Sequence, residues 1–262
     1  MGSAEPIGSS PRTRRERQRQ ATMDEIVQVS RRLLTDPQGI SLRSIAAEMG
    51  MTAPALYRYV ESYDDLILRV AADIYDDVTA ALAQARDRHP ADDPAARITA
   101  ASAAFRRWAI AHRTEFGLIF TNPVTAGPSE GGKICAQAGA RFGALFSDLF
   151  IQVWEQVRFA VPGDDELEPA LRERLRAGEA DLSNFHEKWR NQQVPVGLQW
   201  QFVRIWSRLY GTVTLEVYEH VDSVIVESGL LFRDMIAGCG RDMGLVDQQD
   251  RLQAVLTAEL AR

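Results

Sequence analysis

Ser41-Leu42-Arg43-Ser44-Ile45-Ala46-Ala47-Glu48-Met49-Gly50-Met51-Thr52-Ala53-Pro54-Ala55-Leu56-Tyr57-Arg58-Tyr59-Val60 holds two short helices and the turn between them. Ser41 suits the N-cap of the first helix, whose Leu42, Ile45, Ala46 and Met49 fall on one side. Gly50 supplies the positive φ that ends it. Thr52 is placed to cap the second helix. Pro54 is tolerated in its first turn, where the missing N–H would lack a partner anyway. Small Ala46 lets the helices cross closely, and Ile45, Met49 and Leu56 seat one on the other. Two helices joined in this way are the elements of a helix-turn-helix.

That packing turns Thr52, Ala53, Pro54, Tyr57 and Arg58 outward, near the start of the helix that enters a major groove. Ala53 and Pro54 suit thymine methyl groups, and the Arg58 fork matches guanine O6 and N7. Ser41, Thr52, Tyr57, Tyr59 and Tyr63 can donate to phosphates, and Arg43 adds charge beside them. The alternative is a helical hairpin inside a bundle, but two exposed tyrosines beside an arginine on so short a helix fit that poorly.

Working outward, Thr13-Arg14-Arg15-Glu16 is a capping-box pattern. Met23, Ile26, Val27, Leu33 and Leu34 follow at helical spacing, with Ser30 as the polar exception, until Asp36-Pro37 and Gly39 stop the helix. On the other side, Ser62 opens a fourth helix through Leu66, Val70, Ile74, Val78 and Leu82, with Asp64 and Asp65 at its positive end. Net charge is −6, which alone argues against nucleic acid. Its distribution does not: residues 1–70 carry 10 Arg against 9 acids, leaving the acidic excess to the rest. Five Arg and one Glu lie between Arg12 and Arg19, a basic arm able to reach phosphate or the minor groove through Arg14 and Arg15.

Residues Leu42 to Leu66 resemble the DNA-binding signature of the TetR family, and the likeness runs over about residues 14–68. Tyr63 stands where the family usually has Lys, and Val60 where Phe is common. Trp206-Ser-Arg-Leu-Tyr-Gly211-Thr-Val-Thr-Leu-Glu216 is similar to a Trp…Gly…Leu-Glu pattern in one group of TetR C-terminal domains. The resemblance implies an all-α fold: a three-helix head joined by a fourth helix to a larger bundle that dimerises and often holds a small molecule. It divides the chain into an arm (1–12), a DNA-binding head (13–68) and a ligand-binding and dimerisation domain (69–262). The implied partners are double-stranded DNA with a palindromic operator, a second copy of the chain and a small apolar or aromatic ligand.

The remaining sequence reads as further helices. Asp93-Pro94 opens one to about Arg113, followed by a short segment Phe116–Phe120 and a Pro/Gly-rich loop, 121–132. Long apolar stretches cover about 133–160, 196–221 and 224–243, a polar helical region covers 164–193, and an amphipathic helix ends the chain near 247–261. The 196–221 stretch is apolar almost all round, which predicts burial on every side. Its small residues Ser207, Gly211 and Thr214, with Leu230, Leu231 and Met235 on the next helix, form an expected two-fold interface. Phe105, Trp108, Phe116, Phe120, Phe146, Phe150, Trp154 and Trp206 recur on the middle helices as an expected ligand pocket, although any one of them is readily explained as core.

Other classes fare worse. Hydrophobic residues make up 45% and charged residues 25%, an ordinary globular composition. Cys135 and Cys239 lack the spacing of a disulfide framework or zinc site. No run of about 18 consecutive apolar residues suggests a membrane span, and a cytoplasmic setting is expected. Gly127-Pro-Ser-Glu-Gly131-Gly132-Lys133-Ile134 nearly spells a phosphate-binding loop but lacks the Ser or Thr after Lys and the preceding strand. Gly238-Cys-Gly240-Arg-Asp-Met-Gly244 has the wrong spacing for a dinucleotide fingerprint. His89, His112, His186 and His220 form no metalloprotease motif, so no enzyme, cofactor or metal is expected. The competing reading is a small-molecule sequestering protein with vestigial DNA contacts, to which Tyr63 alone lends support.

Overall fold

The computed structural model describes residues 13–35, 40–121, 127–177 and 194–262, and all regular structure among them is helical. The head comprises α1 (Arg14–Leu33), α2 (Leu42–Glu48) and α3 (Ala53–Leu56). Then come α4 (Tyr63–Arg86), α5 (Pro94–Ala111) and α6 (Arg113–Phe116), which runs into a π turn (Gly117–Thr121). After these lie α7 (Glu130–Val157), α8 (Pro169–Ala177), α9 (Val196–Val217), α10 (Ser223–Ser228) and α11 (Leu230–Asp242). A 3-10 turn (Val246–Gln248) introduces the last helix, α12 (Gln249–Leu260). The arm 1–12, the stop at Asp36–Gly39 and His186 lie outside the described residues.

Local chemistry explains most boundaries. Thr13 and Glu16 form the expected capping box, Thr13 N donating to Glu16 Oε2 at 2.7 Å and Glu16 N to Thr13 Oγ1 at 3.3 Å. Ser30 is fully buried yet satisfied, because its hydroxyl donates to the Ile26 carbonyl one turn back at 2.7 Å. Asp93 caps α5 by accepting from Ala96 N at 3.0 Å, with Pro94 next in the first turn. Gly229, at φ +64°, breaks the 224–243 stretch into α10 and α11.

Around α4 the core forms, as α4 packs on both α5 and α7. By length and composition α7 is apolar enough to cross a membrane, but 61% of its apolar window is buried inside the protein. Arg106 on α5 is tied to α9 by Nε donating to Glu216 Oε2 at 2.6 Å, and its Nη2 donates to the Val226 carbonyl at 2.5 Å.

Two expectations change here. The loop after the π turn ends at Ser129, not Gly132: Ser129 Oγ accepts from Gly132 N at 3.1 Å and caps α7, drawing both glycines into its first turn. Second, α9 is not buried on every side. Leu198, Phe202, Ile205, Leu209 and Val213 face the core, while Ser207 and Leu215 are exposed and Gly211 and Thr214 are only half-buried.

Candidate nucleic-acid interface

The turn between α2 and α3 is built as its residues require. Ser41 Oγ accepts from Ser44 N at 3.1 Å, and Ser41 N donates back to Ser44 Oγ at 3.0 Å. Gly50 adopts φ +63°, and Met51 N returns to the Ala46 carbonyl at 2.9 Å. Ile45 and Leu56 are fully buried and Ala46 nearly so, which fixes the angle of α3 on α2. Beyond its four helical residues α3 continues as a turn, Tyr59 N and Val60 N both donating to the Leu56 carbonyl, at 2.8 and 3.2 Å. Val60 is buried, so the replacement of the family's Phe is absorbed as packing.

Outward from this seat stand Thr52, Pro54, Tyr57 and Arg58, all exposed; Tyr57 shows 57% of its surface although Leu56 beside it shows none. Thr52 occupies the N-cap position but makes no side-chain cap bond, contrary to expectation. Its hydroxyl remains available to a phosphate. Ala53 and Tyr59 are half-buried against the head's core and not fully outward as predicted. Tyr63 is exposed, and its hydroxyl donates to the Ile40 carbonyl at 3.2 Å, so its O–H has a partner within the chain; burial, then Asp64, push its pKa up. Arg14, Arg15 and Arg43 are exposed. Arg19 Nη2 donates to the Arg58 carbonyl at 3.2 Å and ties the start of α1 to the end of α3.

Two polar joints connect this head to the bundle, and neither was read from the sequence. Asp65 does more than face a helix N-terminus: its side chain is fully buried. Oδ1 accepts from Gly131 N at 2.7 Å, and Oδ2 accepts from Arg69 Nε at 3.0 Å and from Glu61 N at 3.3 Å. Burial pushes this carboxyl up, but the Gly131 N–H, Arg69 and the Glu61 N–H outweigh it and hold the group below the usual carboxylate range. With the folded-state pKa depressed, this joint's stabilisation is present at neutral pH and is lost as pH falls below about 4. Asp65→Asn is accordingly expected to flatten the acid limb of a pH–stability curve measured by thermal melting.

The Gly131-Gly132 pair that imitates a phosphate loop has a packing purpose. A Cβ on Gly131 would run into the Asp65 carbonyl oxygen, and one on Gly132 into that of Gly127. A glycine pair inside a helix's first turn was the signal available, since capping needs neither.

At the second joint the Arg31 guanidinium, at the end of α1, donates to three carboxylates: Glu115 at 2.6 Å, Asp73 at 2.9 Å and Asp77 at 2.9 Å. The Glu115 bond, against the cost of burial, raises the Arg31 pKa, so the charge is permanent. Trp108 Nε1 donates to Asp77 at 3.0 Å. Asp77, His112 and Glu115 bring potential ligand atoms within 4.8 Å of one another, but the cationic partner of these acids is Arg31 itself. Arg31→Met should free three acids at once and lower stability by about 2 kcal/mol, discounted for the exposure of Asp73 and Asp77. A melting point unchanged by that substitution would contradict this role.

Of the aromatic residues expected to form a pocket, most stack on one another. Phe105 lies 5.4 Å from Phe120, 5.8 Å from Trp206 and 6.1 Å from Phe146, ring centre to ring centre, and Phe116 lies 5.1 Å from Phe120. Phe142, which recurs on the same middle helices, joins this cluster. Phe150 pairs instead with Phe159 and Phe202, Trp108 stacks on His112, and Trp154 is covered by the Arg158 guanidinium at 4.3 Å. On the outer face, Leu230 is 63% exposed and Leu231 is half-buried, but Met235 is 7% exposed and turns inward. Helical spacing explains this: Met235 lies four residues on from half-buried Leu231, on the same inward-leaning face, and five residues on from Leu230, well round the helix from its exposed side.

Buried α2–α3 packing, an exposed tyrosine–arginine edge and a helical bundle behind them define a helix-turn-helix regulator class. Residues 98–239 match the family model for the tetracyclin repressor-like C-terminal domain. The HTH-type transcriptional regulators Mb1846 of Mycobacterium bovis and Rv1816 of Mycobacterium tuberculosis are each 30% identical over 166 residues, 55% of this chain and 71% of theirs. The fold resembles the crystal structure of the protein SCO4313 at TM-score 0.55 and 23% identity, covering 95% of this chain and all of that one. The chain belongs to the TetR family of transcriptional regulators.

Proposed function

We propose that the protein is a dimeric repressor that reads a palindromic operator through Pro54, Tyr57 and Arg58, with Arg14, Arg15, Ser41, Arg43 and Thr52 positioning it on phosphates, and that a small ligand in the bundle releases it. The observation that carries the reading is the exposed Tyr57–Arg58 edge on a helix whose orientation is fixed by buried Ile45 and Leu56. Arg58 is aimed at base edges, and the phenol of Tyr57 at the backbone. A functional division near residue 68 falls inside α4, so one continuous helix serves both head and bundle. Ligand binding would act by favouring one position of that helix, which requires unequal affinity for the DNA-bound and free conformations.

The half-open stripe Ser207, Gly211, Thr214 on α9, with Leu230 and Leu231 on α11, supports a two-fold interface; a Cβ on Gly211 would meet nothing within 4 Å in the single chain. Gly211→Arg is expected to convert the dimer to monomer in sedimentation equilibrium without lowering the melting point of the monomer. A dimer persisting at micromolar concentration would place the interface elsewhere. Repression is tested with a promoter carrying the selected operator. Transcription should fall when the protein is supplied and stay unchanged with Arg58→Ala; a rise would make the protein an activator.

A further inference from the structure

We infer that the cleft between α5, α9, α11 and α12 binds a short, neutral aliphatic molecule bearing one hydrogen-bond donor, a primary alcohol or amide in chemical class. The inference rests on the ligand-responsive reading above and gives it a site apart from the cluster of neighbouring aromatic rings. This cleft is partly open: its empty space of about 550 Å³ includes solvent at the mouth, and the part enclosed by protein has room for a few water molecules. Its walls are aliphatic, from Ile98 on α5, Ile205 and Leu209 on α9, Met243 and Leu245 after α11, and Leu252 on α12. Among the described residues, no aromatic ring and no carboxylate, ammonium or guanidinium lines it. A charged ligand would lose its hydration with nothing to replace it.

The polar lining decides what the ligand must offer. Thr99 Oγ1 donates its hydrogen to the Ala95 carbonyl at 2.8 Å, and Ser102 Oγ to that of Ile98 at 2.8 Å. Gln249 Nε2 donates to the Ala237 carbonyl at 3.1 Å and Gln253 Nε2 to the Arg233 carbonyl at 3.5 Å. Each of these four side chains has directed a donor to backbone and retains an oxygen able to accept. A ligand with an O–H or N–H therefore finds up to four accepting oxygens, while one with acceptors alone has only the second N–H of Gln249 and of Gln253 to meet. Cys239 also borders the cleft, but burial pushes its thiol up to about 11, and it donates to Met235 Sδ at 3.6 Å. It is a wall and not a nucleophile.

Met235 and Met243 line the cleft, whereas Met23, Met49 and Met51 belong to the head. The test is a methyl NMR titration of full-length protein labelled at its methionines, with n-hexanol, hexanoate and hexyl methyl ether as probes. Hexanol should shift the Met235 and Met243 methyls and leave the three head methyls in place, with hexanoate and the ether at least about tenfold weaker. Thr99→Val combined with Ser102→Ala keeps the volume, removes two of the four accepting oxygens and should reduce the preference for alcohol over ether, whereas Ser102→Phe should fill the cleft and abolish binding. Absent shifts, equal shifts in the two cleft and three head methyls, or hexanoate binding as well as hexanol would each overturn the site. Operator affinity measured in the same solutions separates the two levels. Cleft shifts with unchanged affinity would refute ligand-responsive release while keeping the site; hexanol-driven release without cleft shifts would do the reverse.

Discussion

An Arg58→Ala protein is expected to bind its operator roughly two to three orders of magnitude more weakly than the parent at the same salt concentration. A bidentate arginine–guanine contact is worth about 1–3 kcal/mol of discrimination, and a two-fold complex makes it twice. Arg58 is exposed, so the loss should appear without any change in melting point. Specificity should also relax at one base pair of each half-site. Arg14→Ala should instead weaken binding to all sequences alike and lower the salt slope by about one unit for each phosphate left without its cation. Fluorescence anisotropy across a salt series distinguishes the two. If Arg58→Ala weakened binding uniformly, with specificity intact, the residue would be a phosphate contact and the assignment of base readout to it would be wrong.

Gly131→Ala is expected to lower the melting temperature, against the usual direction for such a change inside a helix. Alanine gains about 1 kcal/mol over glycine in helix propensity. Here the new Cβ runs into the Asp65 carbonyl oxygen, which is helix backbone, and meets Oδ1 at 2.6 Å, on a fully buried side chain held by Gly131 N and Arg69. Moving α7 away to relieve that clash stretches the Gly131 N–H bond to a buried carboxylate. Overpacking and a weakened charge-assisted bond together cost about 3 kcal/mol. The net is a loss of about 2 kcal/mol, a fall of roughly 4–8 °C for a chain of this size. Gly211→Ala is the internal control: space around its Cβ is open in the single chain, so in a monomeric background it should gain the propensity term. A rise in melting temperature with Gly131→Ala would mean that the Asp65–Gly131 joint contributes little.

Local features of the chain were legible where local chemistry decides them. Thr13 with Glu16, Ser41, Gly50, Ser62 and Asp93 each sit at the helix end their chemistry suits, and the spacing of Ile45, Ala46 and Leu56 was enough to seat α3 on α2. Long-range partners were not legible. Asp65 looks like an ordinary first-turn acid until its bond to a backbone N–H 66 residues away is known, and nothing near Arg31 announces three acids from α4 and α6. Apolar content misled at α9, because a composition suited to burial on all sides also suits a helix with one face left for a partner. Aromatic recurrence marked neighbours in space: Phe105, Phe116, Phe120, Phe146 and Trp206 come together as one cluster of rings. The aliphatic cleft drew no attention because isoleucine, leucine and methionine at helical spacing carry no mark of cavity or core.

Most directly, sequence-specific reading by the Tyr57–Arg58 edge is tested by selecting duplex DNA from a random library with the purified protein at moderate salt. The expected result is enrichment of an inverted repeat whose half-sites lie about 34–36 Å, one helical turn, or a multiple of that apart, and loss of that enrichment with Arg58→Ala. A folded, dimeric protein that retains DNA only at low salt and enriches no sequence would contradict it.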